Sequence, residues 1–260
     1  MTNTLQPPPV RPLEGRTALV TGASKGIGAA VCESLANAGA RLVISARDRD
    51  ELDALAARLT KECGVDVASV ACDLAEAGAH TALARDAWEA FDGLDVLVNN
   101  AGISITEPAV EVTTAHWDAV MGVNLRAPAL LAADVGRRMA ERGHGSIVTI
   151  ASAAGLRALP EHFAYCISKA GLMMATKVLA LELGPRGVRA NSICPTVVLT
   201  EMGTRVWGEP TKAAPMLARI PLGHFAQPSD VGDAVIFLAS DTSSMLNGVD
   251  LPLDGGYTIS

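Results

Sequence analysis

The chain has 260 residues, 49% of them hydrophobic but only 3% aromatic, and a formal net charge of −7. The length suits one α/β unit, and a core of Ala, Val, Leu and Ile suits a parallel sheet covered by helices. The acidic balance argues against nucleic acid or an anionic membrane as a partner, so any anionic ligand needs a local cluster of donors.

Residues 1–14 read as a flexible tail, polar and carrying Pro7-Pro8-Pro9, without the apolar run behind a basic start that a signal peptide needs. The folded unit is expected over 15–260. Within it, strand and helix patterns alternate. Strands are expected at 17–21, 41–46, 66–72, 94–98, 144–151, 188–194 and 250–253, with helices at 27–38, 77–91, 113–142, 163–183 and 229–239. Asp48 to Glu51 has the spacing of a capping box opening a further helix. This alternation implies a single-domain, Rossmann-type, doubly wound parallel β-sheet with helices on both faces. No apolar stretch of 18 residues lacks a charge, the longest being broken by Lys177 and Glu182, so no membrane span is expected. The five cysteines are odd in number, scattered and without metal-ligand spacing, which fits a reduced cytoplasmic protein with no metal site.

In such a sheet, ligands sit beyond the carboxyl ends of the strands. The first strand runs into Thr21-Gly22-Ala23-Ser24-Lys25-Gly26-Ile27-Gly28. Glycines here let the backbone turn sharply and approach a ligand, and the helix start offers free N–H groups to a diphosphate. The second strand ends Ser45-Ala46-Arg47. Ala46 offers no carboxylate to a ribose 2′-hydroxyl, whereas Arg47, with Lys25 nearby, suits a 2′-phosphate, which favours NADP over NAD. Asp48 is the competing acid, and its capping role accounts for it. Asp73-Leu74 after the third strand can reach an adenine edge, although a helix-capping aspartate explains it equally well. Asn99-Asn100-Ala101-Gly102 after the fourth places small residues and amides where a cofactor ribose would lie. Asn124 is a polar residue in an apolar helical stretch, where it can hold a kink or a water.

Ser152 stands just past the fifth strand, and Tyr165 and Lys169 lie one helical turn apart. A hydroxyl, a phenol and an ammonium can then converge, a set suited to moving a proton at a carbonyl or alcohol oxygen. A free phenol titrates near pKa ~10. A cation about 4 Å away, worth roughly 4 kcal/mol at an effective dielectric of about 20, is expected to lower that value into working range.

The glycine loop, Asn-Asn-Ala-Gly, Asn124, Ser152 and Tyr165-x-x-x-Lys169, in this order, resemble the short-chain dehydrogenase/reductase family over nearly the whole chain. The resemblance implies Tyr165 as acid/base, Lys169 lowering its pKa and binding the nicotinamide ribose, Ser152 orienting the carbonyl, and Asn124 holding a relay water. It also implies that Pro195, Val198 and Thr200 line the nicotinamide pocket and that 199–219 covers the substrate. The long helices 113–142 and 163–183 would build a homotetramer interface. Within the family, Val123-Asn124-Leu125-Arg126-Ala127, Tyr165-Cys166, Pro195-Thr196-Val197-Val198-Leu199-Thr200 and Ile220-Pro221-Leu222-Gly223 are similar to the L-xylulose (dicarbonyl) reductases. His162 and Trp207 fall where those enzymes contact substrate, but Ala153 replaces an expected polar, glutamine-like contact. The resulting expectation is an NADPH-dependent, reversible reductase of a small-molecule ketose or α-dicarbonyl. The alternatives are an NAD-linked polyol dehydrogenase or 3-oxoacyl reductase on the same scaffold and, remotely, a non-catalytic nucleotide-binding regulator. A serine hydrolase on Ser152 and His162 lacks the Gly-x-Ser-x-Gly elbow.

Overall fold

The computed structural model describes residues 11–260. Seven strands, β1 (Thr17–Thr21), β2 (Arg41–Ala46), β3 (Val67–Ala71), β4 (Val96–Asn99), β5 (Gly145–Ile150), β6 (Val188–Pro195) and β7 (Asp250–Leu253), form one sheet. Its order is β3-β2-β1-β4-β5-β6-β7, and every pairing is parallel. Order reverses between β1 and β4, so the loops leaving those two strands open a crevice at their carboxyl ends.

The helices are α1 (Gly26–Asn37), α2 (Arg49–Cys63), α3 (Ala79–Ala90), α4 (Thr114–Met121), α5 (Ala127–Arg142), α6 (Phe163–Leu183), α7 (Glu201–Trp207), α8 (Pro210–Leu217) and α9 (Pro228–Ala239). Alternate strand residues point to opposite faces. Val20, Ile44 and Val98 pack with Leu35 of α1, Leu52 of α2 and Val235 of α9. On the other face, Leu19, Val43 and Leu97 pack with Leu83 of α3 and with Leu131 and Val135 of α5. Each such side chain contributes about 1.5–3 kcal/mol on burial, which holds the strand ends, and the loops they carry, in fixed register.

Several expectations are corrected. The expected tail at 1–14 overlaps the fold: residues 1–10 lie outside the described residues, but Leu13 is fully buried and its N–H donates to Ala38 O at 2.9 Å. The expected helix 113–142 is interrupted by a π-helical turn at Gly122–Arg126, where Ala127 N–H donates to Gly122 O. Pro128 follows and has no N–H to give the Asn124 carbonyl four residues back, so the helical ladder widens there. The segment expected to cover the substrate, 199–219, contains α7 and α8, which the sequence patterns did not mark as helices. Asp48 does cap α2, accepting from Glu51 N–H at 3.1 Å. α6 with the turn after it, Phe163–Arg186, is long and apolar enough to cross a membrane. In the fold it lies against β6 and α5, with Ser168, Lys169 and Thr176 buried in protein.

Candidate active site

The glycine loop closes against the segment after β4. Gly22 has φ +63°, and a Cβ there would lie 2.9 Å from Ala101 Cα. At Gly28 a Cβ would lie 2.0 Å from Gly22 O, so only hydrogen fits. Asn100 Nδ2 donates to Thr21 O at 2.9 Å and Gly22 O at 3.1 Å, while Asn100 and Ala101 N–H both donate to Thr21 Oγ1. The Asn100 side chain therefore holds the loop in shape, rather than being free for a ribose. Thr21 completes this network and went unnoticed in the sequence because its role depends on a strand far away in the chain. α1 starts with no side-chain cap and no acid in its first turn, leaving its N–H groups free for an anion.

Beside the loop, Lys25 Nζ is paired with Glu51 Oε1 at 2.9 Å, and Ser24 also hydrogen-bonds Glu51. Lys25 is thus tied to α2 by an exposed ion pair, which is weak. Arg47 is exposed and makes no ion pair among the described residues. Asp73 Oδ1 accepts from Ala75 N–H at 2.9 Å, shaping the turn rather than capping α3. Leu74 is buried in the core, and Ile27 packs on the opposite core, so these two face a ligand only with their backbone.

Past β5, Ser152 opens a short 3-10 turn and its Oγ accepts from Ala154 N–H at 3.1 Å. α6 then presents Tyr165 and Lys169 toward it. The Ser152 hydroxyl hydrogen-bonds the Tyr165 phenol. Lys169, 4% exposed, donates from Nζ to Ile150 O at 2.9 Å and lies 5.7 Å from the centre of the Tyr165 ring. Its Nζ is also 3.5 Å from where a Cβ on Gly102 would sit, so the fourth strand's loop reaches the same point. Burial lowers the Lys169 pKa to about 8.

The phenol behaves otherwise than expected. Burial, the larger cause, pushes the Tyr165 pKa up, and the Ser152 hydrogen bond draws it down. Lys169 gives one of its three N–H groups to Ile150 O, and the Tyr165 shift follows burial and Ser152. Tyr165 is therefore kept protonated at neutral pH, the form that donates to a carbonyl oxygen. Removing the counteracting bond with Ser152→Ala should raise the phenol further. In the reduction direction the alkaline limb of the pH–rate profile then moves to higher pH as turnover falls. A limb that stays put or moves down contradicts this coupling.

Asn124 is fully buried in the π turn. Ile103 N–H donates to its Oδ1 at 2.8 Å, and its Nδ2 donates to Ile103 O at 2.8 Å and Ser168 Oγ at 3.2 Å. The side chain is thus tied to Ile103 and Ser168, and Pro128 has no N–H to offer the main-chain carbonyl of Asn124.

The remaining predicted residues lie on the loop before α6 and on the stretch from the end of β6 through α7. His162 packs edge-on to Tyr165 at 6.0 Å and its Nδ1 contacts Pro160 O at 2.8 Å. Pro195 ends β6, Val198 bridges to Ala226, and Thr200 caps α7, with its methyl 3.5 Å from a Cβ built at Gly26. Thr200, at the start of α7, thus meets the glycine loop. Trp207 packs at a tilt against Phe225, ring centres 5.9 Å apart, beside a cluster that includes Ala153. Sequence reading missed the Glu107–His116 pair at 2.8 Å and the parallel bridge between Glu107 and His162 that steadies the loop before α6. The signal for it was a lone Glu and a lone His, neither informative by itself.

A family model described as enoyl-(acyl carrier protein) reductase matches residues 22–258. The chain is 45% identical to D-threitol dehydrogenase of Mycolicibacterium smegmatis over 247 residues, covering 95% of this chain and 94% of that protein. It is 44% identical to L-xylulose reductase of Mesocricetus auratus over 250 residues, covering 95% and 98%. A solved structure of a putative NAD(P) dependent gluconate 5-dehydrogenase from Beutenbergia cavernae, with bound NADP, superimposes with TM-score 0.90 at 39% identity, covering 96% of this chain and 100% of that one. The chain belongs to the short-chain dehydrogenase/reductase family, as a nicotinamide-dependent oxidoreductase of alcohol and carbonyl groups.

Proposed function

We propose that this protein is an NADPH-dependent reductase of ketoses or α-dicarbonyls, reversible toward the corresponding polyol. The observation that carries this reading is the protonated Tyr165 phenol joined to Ser152 and set beside buried Lys169. The uncapped start of α1 and the close-fitting Gly22–Gly28 contact suit a diphosphate, and Arg47 is free for a 2′-phosphate. A reduced nicotinamide bound there supplies the hydride. Ser152 and Tyr165 hold the substrate oxygen, and Tyr165 donates its proton as that oxygen gains charge. Lys169 stands next to the phenol and the Gly102 loop, where it suits a ribose hydroxyl. His162 and Trp207 flank the substrate on either side, under 199–219. In the oxidation direction Tyr165 takes the proton back.

Names of the relatives favour this chemistry over that in the matched family model's description, since they denote a polyol dehydrogenase and a ketose reductase. An NAD-linked polyol dehydrogenase is the second reading, favoured by the first of those names. One panel decides: NADPH and NADH crossed with ketopentoses, α-dicarbonyls and polyols. The proposal predicts carbonyl reduction with NADPH preferred; polyol oxidation served best by NAD favours the second reading.

The protein is further proposed to act as a cytoplasmic homotetramer. Ile167, Met174, Val178 and Leu181 are exposed on one face of α6, and Leu130 is exposed on α5, an apolar surface that suits a partner copy. All five cysteines are free, which suits a reducing compartment.

A further inference from the structure

We propose that Glu51 is a specificity-determining residue that competes with a 2′-phosphate for Ser24 and Lys25, and so limits the preference for NADPH over NADH. This deepens the function proposed above and rests on its placement of the cofactor. Glu51 stands in the first turn of α2, and its carboxylate takes both polar side chains of the glycine loop. Lys25 Nζ donates to Glu51 Oε1 at 2.9 Å, and the Ser24 hydroxyl hydrogen-bonds the same carboxylate.

Glu51 has an alternative partner at its own helix start. Its N–H donates to Asp48 Oδ1 at 3.1 Å, one arm of a capping box, and in a full box the glutamate side chain would return to the Asp48 N–H. Instead it crosses to the loop after β1. Thr21 and Ser45 are register partners on β1 and β2, and Ala23 N–H donates to Ser45 O at 3.0 Å. The glycine loop and Arg47 therefore leave adjacent strand ends side by side, with Glu51 tying the loop to the helix that follows Arg47. A dinucleotide places its adenine-side ribose at this corner.

Ser24 and Lys25 are the donors that the loop's side chains bring here, and Glu51 occupies both. A 2′-phosphate has to take them from a carboxylate that also repels it. A 2′-hydroxyl makes no such demand, so NADH binds without disturbing the pair. The exchange is open to NADPH because the pair is exposed: the side chains of Lys25 and Glu51 are 73% and 40% accessible, and such pairs are weak. Glu51 Oε2, by contrast, is covered and meets no donor among the described residues. The carboxylate thus faces the loop through Oε1 and does not present its other oxygen to a ribose hydroxyl.

The test is equilibrium titration of NADPH and NADH, at one ionic strength, into wild type, Glu51→Gln, Lys25→Ala and the double variant. Gln keeps the side-chain length and the N–H that Asp48 accepts, so the start of α2 is retained. Glu51→Gln should bind NADPH about 3- to 10-fold more tightly, the scale of an exposed ion pair together with a removed like charge, with NADH unchanged. Lys25→Ala should weaken NADPH more in the Glu51→Gln background than in the wild type, because only there is the ammonium free beforehand. Unchanged or weaker NADPH binding by Glu51→Gln, or an equal effect of Lys25→Ala in both backgrounds, overturns the assignment. So does weakened NADH binding by Glu51→Gln, which would make Glu51 a ribose ligand. A wild type that favours NADH sinks the NADPH preference, while a Lys25-dependent gain for NADPH in Glu51→Gln still upholds this role. NADPH preference without that gain gives the reverse.

Discussion

Tyr165→Phe is expected to lower turnover by at least about 100-fold, the scale of a lost general acid, while NADPH still binds. The ring stays, so its edge-on packing with His162 and its place beside Lys169 persist. What goes is the hydroxyl that burial keeps protonated and that is bonded to the Ser152 side chain. Water replaces it poorly, because it is not held in place beside the substrate oxygen as that oxygen gains charge. Lys169→Ala should do something different, weakening cofactor binding as well as turnover, since Lys169 sits at the junction of α6, Ile150 and the Gly102 loop. Stopped-flow mixing and cofactor titration separate the two. Near-normal turnover in Tyr165→Phe would remove the phenol from the mechanism.

The second large effect concerns cofactor choice. Arg47→Ala should weaken NADPH and leave NADH much less affected. A charge-assisted hydrogen bond contributes about 1.5–3 kcal/mol, or roughly 10- to 150-fold at about 1.4 kcal/mol per decade. Arg47 is exposed, so the effect should shrink as ionic strength rises. The pairing of Lys25 with Glu51 concentrates this role on Arg47. Adding Ala46→Asp should reverse the preference, because a carboxylate accepts from a free 2′-hydroxyl and repels a phosphate. Kinetics with both cofactors at one ionic strength provide the check; an Arg47→Ala enzyme indifferent between them would return Asp48 to consideration.

The strands, and the helices that cover them, were readable because apolar runs and turn residues act locally. β1, β2, β7 and α6 fall where the pattern puts them. The π turn was not readable as such: residues 113–142 carry one continuous helical pattern, and the break arises from a donor that Pro128 lacks. α7 and α8 escaped notice because Gly203, Gly208 and Pro215 interrupt their pattern. At the site, order along the chain was enough to expect Ser152, Tyr165 and Lys169 to converge, as they do. It was not enough to assign charge states. The direction of the Tyr165 shift depends on burial by elements distant in sequence, and Lys169 turns to a strand carbonyl that no spacing rule anticipates. Likewise Lys25 and Asn100 were correctly placed beside the loop, but their partners, Glu51 and the Thr21–Gly22 backbone, lie on other elements.

The central claim is hydride transfer to a carbonyl carbon with proton donation from Tyr165. The most direct measurement follows the label in the alcohol formed from a ketopentose and NADPH deuterated at nicotinamide C4 on each face in turn. The account predicts deuterium at the carbinol carbon from one face only, with label transfer slowed at least about 100-fold in Tyr165→Phe. Cofactor oxidation without label in the alcohol, or label arriving equally fast in the variant, would contradict it.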